Sequence, residues 1–279
     1  MRYSFSGHES FHCKSLWLKK GYDHLHEGRS FLDNDAVAEL GVGKNMVASI
    51  RYWMKAFTLT DSDKLTTFSQ YIFANNGVDP FCEDLGSLWL LHYQLVSARI
   101  ASIYSLVFTE FQRERRDFDK EQLQSFIRRK CNVPEQKNVY NENTVKKDVS
   151  VLLQTYVAPT DLKQLEQFGA LLIGLNLILP IDKDRYRFAE TATNAIPNEI
   201  LFYAIIDLKG DDRVVSFDKI QYLSLLFCIP LGSLLEKLMN IAAVYSDYID
   251  YNDNSGIRNI LFKQEIDKYE VLNKYYSKL

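Results

Sequence analysis

The sequence predicts a mainly α protein with small β-hairpins, arranged as tandem winged-helix or helix-turn-helix modules joined by a long helix. Apolar residues recur at helical spacing in separate stretches, for example Val47, Ile50, Met54 and Phe57. Short strand-like runs are bounded by Asn, Asp and Gly turns. Hydrophobic residues make up 47% and aromatic residues 13% of the 279 residues, which excludes extensive disorder and supplies a packed core. Four segments follow: a first module over 1–78, a connecting helix over 79–117, a second module over 118–190 and a third over 191–279.

The first module centres on Asp33 to Phe57. An Asp-capped helix reaches Leu40, Gly41-Val42-Gly43 permits a tight turn, and a second helix runs from Lys44 to Phe57. Thr67–Phe73 alternates as a strand, and Asn75-Asn76-Gly77 closes it. Asp79–Asp84 opens the connecting helix, expected from Leu85 to Phe111, with Arg113–Asp117 as a charged hinge. The second module has helices over Lys120–Lys130 and Thr144–Tyr156, with Leu175–Leu179 and Arg185–Phe188 as a hairpin around Asp182-Lys183-Asp184. In the third, Ser216 caps a helix to Cys228 and Pro230-Leu231-Gly232 turns into a helix over Ser233–Ala243. Val244–Asp250 and Ile257–Phe262 form strands around Asn252–Gly256, and a last helix spans Glu265–Lys278.

The Lys44–Phe57 helix is the most directly functional segment. Its apolar face packs inward, and its other face offers Lys44, Asn45, Ser49, Arg51, Tyr52 and Lys55 with no acidic residue. A helix that enters a DNA major groove needs such a packed back and a cationic, hydrogen-bonding front. Lys44, Asn45 and Ser49 near the helix start are placed to reach base edges, and Arg51 and Lys55 to meet phosphates. Arg113, Arg115, Arg116, Arg128, Arg129 and Lys130, with Lys146 and Lys147, form a second basic concentration. Asp117, Asp119 and Glu121 lie among them and offer salt bridges instead. Tyr245–Asp253 is acidic and aromatic, a poor surface for phosphate and a better one for protein.

Charge bounds these readings. The net charge is -3; residues 1–150 carry 20 Lys+Arg against 19 Asp+Glu, and residues 151–279 carry 13 against 17. Nucleic-acid affinity is therefore expected to be local, salt-sensitive and weighted to the N-terminal half. Cys13, Cys82, Cys131 and Cys228 are far apart and lack metal-binding spacing, as free thiols in a reducing cytoplasm would. No signal peptide is visible, and the Ala170–Leu179 run is too short to span a bilayer.

Two motifs compete with these readings. His8-Glu9-Ser10-Phe11-His12 matches the zinc-peptidase pattern, in which a helix sets both histidines on one face and the Glu acts as base. It starts before any sheet edge can flank such a helix, and a zinc hydrolase using His8, Glu9 and His12 is the lesser alternative. Gly41-Val42-Gly43-Lys44-Asn45 resembles a phosphate loop, but Ala38 stands where the first Gly is needed and Asn45 where Ser or Thr is needed. No cofactor is implied.

Phe5-Ser6-Gly7-His8-Glu9-Ser10-Phe11, Leu16–Gly21, Gly41–Val47 through Arg51-Tyr52-Trp53, and Asp79-Pro80-Phe81 with Leu88–His92 together resemble the bacterial domain-of-unknown-function family 4007. The resemblance extends over nearly the whole chain. It implies a place in bacterial DNA-modification and phage-defence loci, in some cases beside sulfur-transfer enzymes that resemble phosphoadenosine phosphosulfate reductases. The resulting expectation is a non-enzymatic, cytoplasmic DNA-binding accessory protein with double-stranded DNA and other proteins of such a complex as partners, with homodimerisation as a further option. The alternative is a protein-interaction subunit without direct DNA contact.

Overall fold

A computed structural model describes residues 2–159, 169–254 and 257–279, and the chain divides into two units, Met1–Ala189 and Glu190–Leu279. In the first unit, α1 (Trp17–His26), α2 (Ala36–Leu40) and α3 (Lys44–Ala56) pack together. Gly41 ends α2 in the left-handed region at φ 62°, where a side chain is disfavoured, and the expected turn into α3 results. A minimal hairpin of β1 (Thr60–Asp61) and β2 (Lys64–Leu65) follows, turning through Ser62 and Asp63, both at positive φ.

The strand expected over Thr67–Phe73 is instead helix α4 (Thr67–Phe73). Thr66 accepts a hydrogen bond from the Ser69 amide, and the buried residues Phe68, Ser69, Ile72 and Phe73 follow helical spacing. The cap, with the short range of the alternation, decided the outcome.

The single long connecting helix is also corrected. Helix α5 (Leu85–Ser97) is capped by Asp84 and buried along nearly its whole length. It ends where Arg99 takes φ 58°, and the chain restarts as α6 (Ser102–Leu106). A π-helical turn (Val107–Phe111) and α7 (Gln112–Glu114) continue it. Tyr104, Phe108 and His92 converge on Tyr156, with the His92 ring and the Tyr156 hydroxyl 2.8 Å apart. This aromatic cluster is the heart of the unit.

The remainder of the first unit is β3 (Asp117–Asp119), α8 (Lys120–Cys131), α9 (Glu142–Tyr156), β4 (Ile178–Pro180) and β5 (Arg185–Phe188), with sheet order β3-β5-β4. Asp119 and Gln122 form a reciprocal capping box that starts α8. The charged hinge expected at Arg113–Asp117 thus leads directly into a strand whose Asp117 faces Arg187 across the ladder. Residues 160–168 of the second expected module lie outside the described residues.

The second unit repeats this order. Helix α10 (Asn198–Lys209) precedes β6 (Val214–Ser216), α11 (Phe217–Leu226), α12 (Leu231–Val244), β7 (Ile249–Asn254) and β8 (Ile257–Phe262), with sheet order β6-β8-β7. Helix α13 (Lys268–Tyr276) packs on α10. Helix α12 continues through Val244, so the strand expected from that residue begins only at Ile249. Ser216 occupies the N-cap of α11 without a side-chain cap bond. Ser255 and Gly256 of the expected turn lie outside the described residues. Strands β3 and β6, each three residues long, were too short to show periodicity.

Because Arg99 is exposed and sits where L-residues are strained by about 1–2 kcal/mol, Arg99→Gly is expected to raise stability by roughly 0.5–1 kcal/mol in urea unfolding, against the usual direction of Gly substitution.

Candidate nucleic-acid interface

The front of α3 is narrower than its sequence suggests. Lys44, Asn45, Ala48 and Lys55 are exposed. Ser49 is fully buried, and its hydroxyl donates to the His8 carbonyl at 3.0 Å. It cannot reach a base edge. Tyr52 turns toward the N-terminal segment, its ring edge-on to His8 and to Trp53. Burial, with Asp148 nearby, pushes its phenol well above the ordinary range. Both residues sit one step round the helix from the solvent line, a difference that a helical wheel without tertiary contacts does not resolve.

Arg51 points outward but is already engaged. Its Nε and Nη2 donate to Asp63 at 3.0 and 2.5 Å from the β1–β2 turn. The hydrogen bonds hold the Asp63 carboxyl below the usual carboxylate range and raise the guanidinium. A depressed folded-state carboxylate contributes stability above its unfolded pKa and loses it as pH falls, so this pair persists at neutral pH. The front of α3 forms the floor of a groove of about 760 Å³, walled by Phe31–Asn34 on one side and Thr60–Asp63 on the other. The helix itself contributes no acid, but its neighbours supply Asp33, Asp61 and Asp63.

The second basic concentration is largely spent on internal pairs. Arg129 bonds Glu114 at 2.5 Å, Arg128 reaches Glu142 at 3.4 Å, Lys146 bonds Glu142 at 2.8 Å, and Lys130 meets Glu110. Lys147 on α9 has no ion pair among the described residues. A groove of about 870 Å³ lies between α9 and the β4–β5 turn, where Lys120, Lys183 and Gln154 meet apolar Leu153 and Ile173. In the second unit, the corresponding helix α12 exposes Met239 and Val244 and no cation. Tyr245 is core, 4.5 Å from the Phe202 ring, while Asp250 and Asp253 pair with Lys263 and Arg258.

The Ser6–Ser10 segment, to which the sequence assigned only the lesser zinc-hydrolase reading, forms a closely hydrogen-bonded turn. Ser6, Gly7, Glu9 and Ser10 all have positive φ, between 49° and 99°. Asp148, buried in α9, holds this turn. It accepts the Ser6 amide on both oxygens, at 3.0 and 3.1 Å, and lies 2.9 Å from His8 Nε2. The Ser10 amide donates to His8 Nδ1, so the neutral ring carries its proton on Nε2 and donates it to Asp148. The His8 carbonyl accepts from Ser49 and from the Phe11 amide, and Trp53 Nε1 donates to the Phe11 carbonyl. A Cβ on Gly7 would lie 2.5 Å from the Tyr52 ring, so only glycine fits.

The zinc-peptidase geometry is therefore absent. Residues 8–10 form a turn instead of a helix, both His8 nitrogens are bound within the turn, and His12 faces Gln154. Among the described residues no group of three or more His, Cys, Asp or Glu is placed to hold a metal. The four cysteines are buried free thiols, and burial raises Cys13 and Cys82 further, away from nucleophilic use.

Residues 5–276 match the model of a protein family of unknown function, DUF4007, and the chain belongs to that family. Two crystal structures, one of SspB and one of magnesium-ion-bound SspB, are similar to it. Each shows a TM-score of 0.85 and 26% identity over 98% of this chain and 88% of theirs. No curated protein matches the chain.

Asp148→Ala leaves the Ser6 amide and His8 Nε2 without an acceptor. At about 1–3 kcal/mol for each buried unsatisfied donor, it is expected to lower the urea midpoint sharply, with Asp148→Asn milder. Gly7→Ala adds backbone strain of about 1–3 kcal/mol and a steric clash, and is expected to destabilise by at least that amount in the same measurement.

Proposed function

We propose that the chain is a non-enzymatic DNA-binding protein that serves as an accessory or regulatory component of a bacterial DNA-modification or phage-defence system in the cytoplasm. The observation that carries the reading is the exposed front of α3: Lys44, Asn45 and Lys55 flank the small Ala48, and the helix contributes no acid. Cations attract the phosphates, the amide can pair with a base edge, and the methyl of Ala48 leaves room for close approach. We read the two strand–helix–helix–hairpin arrangements as winged helices, and α2–α3 with its short hairpin as the helix-turn-helix that faces duplex DNA. Arg51 joins the contact only when Asp63 releases it.

Magnesium is bound in one of the similar SspB structures. Among the described residues no group of three or more His, Cys, Asp or Glu is placed to hold such an ion.

A second reading, an interaction subunit of the same complex, is favoured by α12, where Met239 is 51% and Val244 72% exposed and no cation accompanies them. The two readings are compatible, since the first assigns α3 to DNA and the second assigns α12 to protein.

Lys44→Glu with Lys55→Glu is expected to abolish duplex binding in a low-salt mobility-shift assay with an unchanged melting temperature; unchanged binding removes α3 from the interface. Asp63→Asn frees Arg51 for one further phosphate. It is expected to strengthen binding and steepen the slope of log K against log salt by about 0.9.

A further inference from the structure

Behind Tyr52, on the same unit, the Ser6–Ser10 turn and the first turns of α9 enclose a cavity of about 140 Å³ lined by Ser6, Gly7, Glu9, Ser10, Thr144 and Lys147, above the buried His8–Asp148 pair. The donors around it are unspent. Among the described residues, the Gly7 and Glu9 amides donate to nothing, and the hydroxyls of Ser6, Ser10 and Thr144 and the Lys147 ammonium have no partner. Thr144 and Lys147 lie in the first two turns of a 15-residue helix, at its positive end. Gly7 and Glu9 have positive φ on either side of His8, which does not, and a backbone that alternates in hand this way is the form of an anion-binding nest.

The acids nearby do not make this a cation site. Both Asp148 oxygens are taken by the Ser6 amide and one also by His8, and both His8 nitrogens are occupied. Only the exposed Glu9 carboxylate is left to ligate a metal, and Lys147 opposes it.

We infer that this cavity binds the oxygens of a phosphate group, and that the group is a backbone phosphate of the nucleic acid carried on α3. The inference rests on the DNA-binding reading and extends it. Tyr52 lines the α3 groove and also lies under Gly7, so a strand leaving the front of α3 past Tyr52 meets the turn and then Lys147 on α9. Asp148 fixes the turn, so its two open amides are held in place before any ligand arrives. The site reads no sequence; it sets the register of the duplex against α3.

Two measurements on the full chain test this separately from α3. In the first, inorganic phosphate is titrated into the protein while the backbone amides are followed by NMR. The Gly7 and Glu9 amides are expected to shift saturably, and Lys147→Gln to remove the shift. No shift at these amides, or a shift with magnesium ion in place of phosphate, overturns the site whether or not α3 binds DNA. In the second, duplex affinity is followed against salt. Lys147→Gln is expected to weaken binding equally for unrelated sequences and to reduce the slope by about 0.9. An unchanged slope, with wild-type binding intact, overturns the link to nucleic acid and leaves α3 untouched. Lys147 is exposed, and the melting temperature of the variant is expected to equal that of the wild type.

Discussion

The first unit depends on one buried carboxylate. Asp148 sits in α9 with almost no solvent exposure, an expensive place for a charge unless every lone pair is used. The chain meets much of that need with its own N-terminal segment: the Ser6 N–H is shared between both carboxylate oxygens, and His8 Nε2 donates to one of them. His8 is in turn fixed by Ser10, and its carbonyl is fixed by Ser49 of α3. A segment 140 residues away in sequence from Asp148 thereby becomes the tie between α3 and α9, the second helices of two successive helix pairs. The strained backbone at Ser6, Gly7, Glu9 and Ser10 is stable only because this network over-determines it.

That tie also explains the composition of the α3 front. Ser49 and Tyr52 look like surface hydrogen-bonding residues in isolation, yet both are used to receive the N-terminal turn. What remains outside is Lys44, Asn45, Ala48 and Lys55, with Arg51 held by Asp63. The DNA-facing surface of the proposal is thus smaller than the helix and is bordered by acids from neighbouring loops. Affinity from α3 alone should be weak, which is consistent with a net charge of -3 and with a component of a larger assembly.

Much of the fold was legible in the sequence where the signal was local and long. The α2–turn–α3 pattern, helices α8 and α9, and strand β5 appear where periodicity and turn residues placed them, whereas the strand expected over Leu175–Leu179 begins only at Ile178, because Ile173–Leu175 form a 3-10 turn that ends at Asn176 in the left-handed region. The readings that changed share a cause. Thr67–Phe73 is short enough to satisfy either period, and only the Thr66 cap separates helix from strand. The break at Arg99 has no proline or glycine to announce it, because a non-glycine residue takes the left-handed turn. For the site, the exposed cations of α3 were visible from the helical wheel. The role of Ser6-Gly7-His8-Glu9 was not, because Asp148 lies far along the chain. The one clue was a Ser-Gly-His-Glu run with no helical or strand period, sitting where a terminus ordinarily frays.

Native-state hydrogen exchange at the Ser6 amide tests the central role of Asp148 most directly. If the turn is part of the cooperative core, this amide exchanges only with the free energy of global unfolding, together with the amides of α3 and α9. Exchange at a much lower free energy, as in a fraying terminus, would contradict the account.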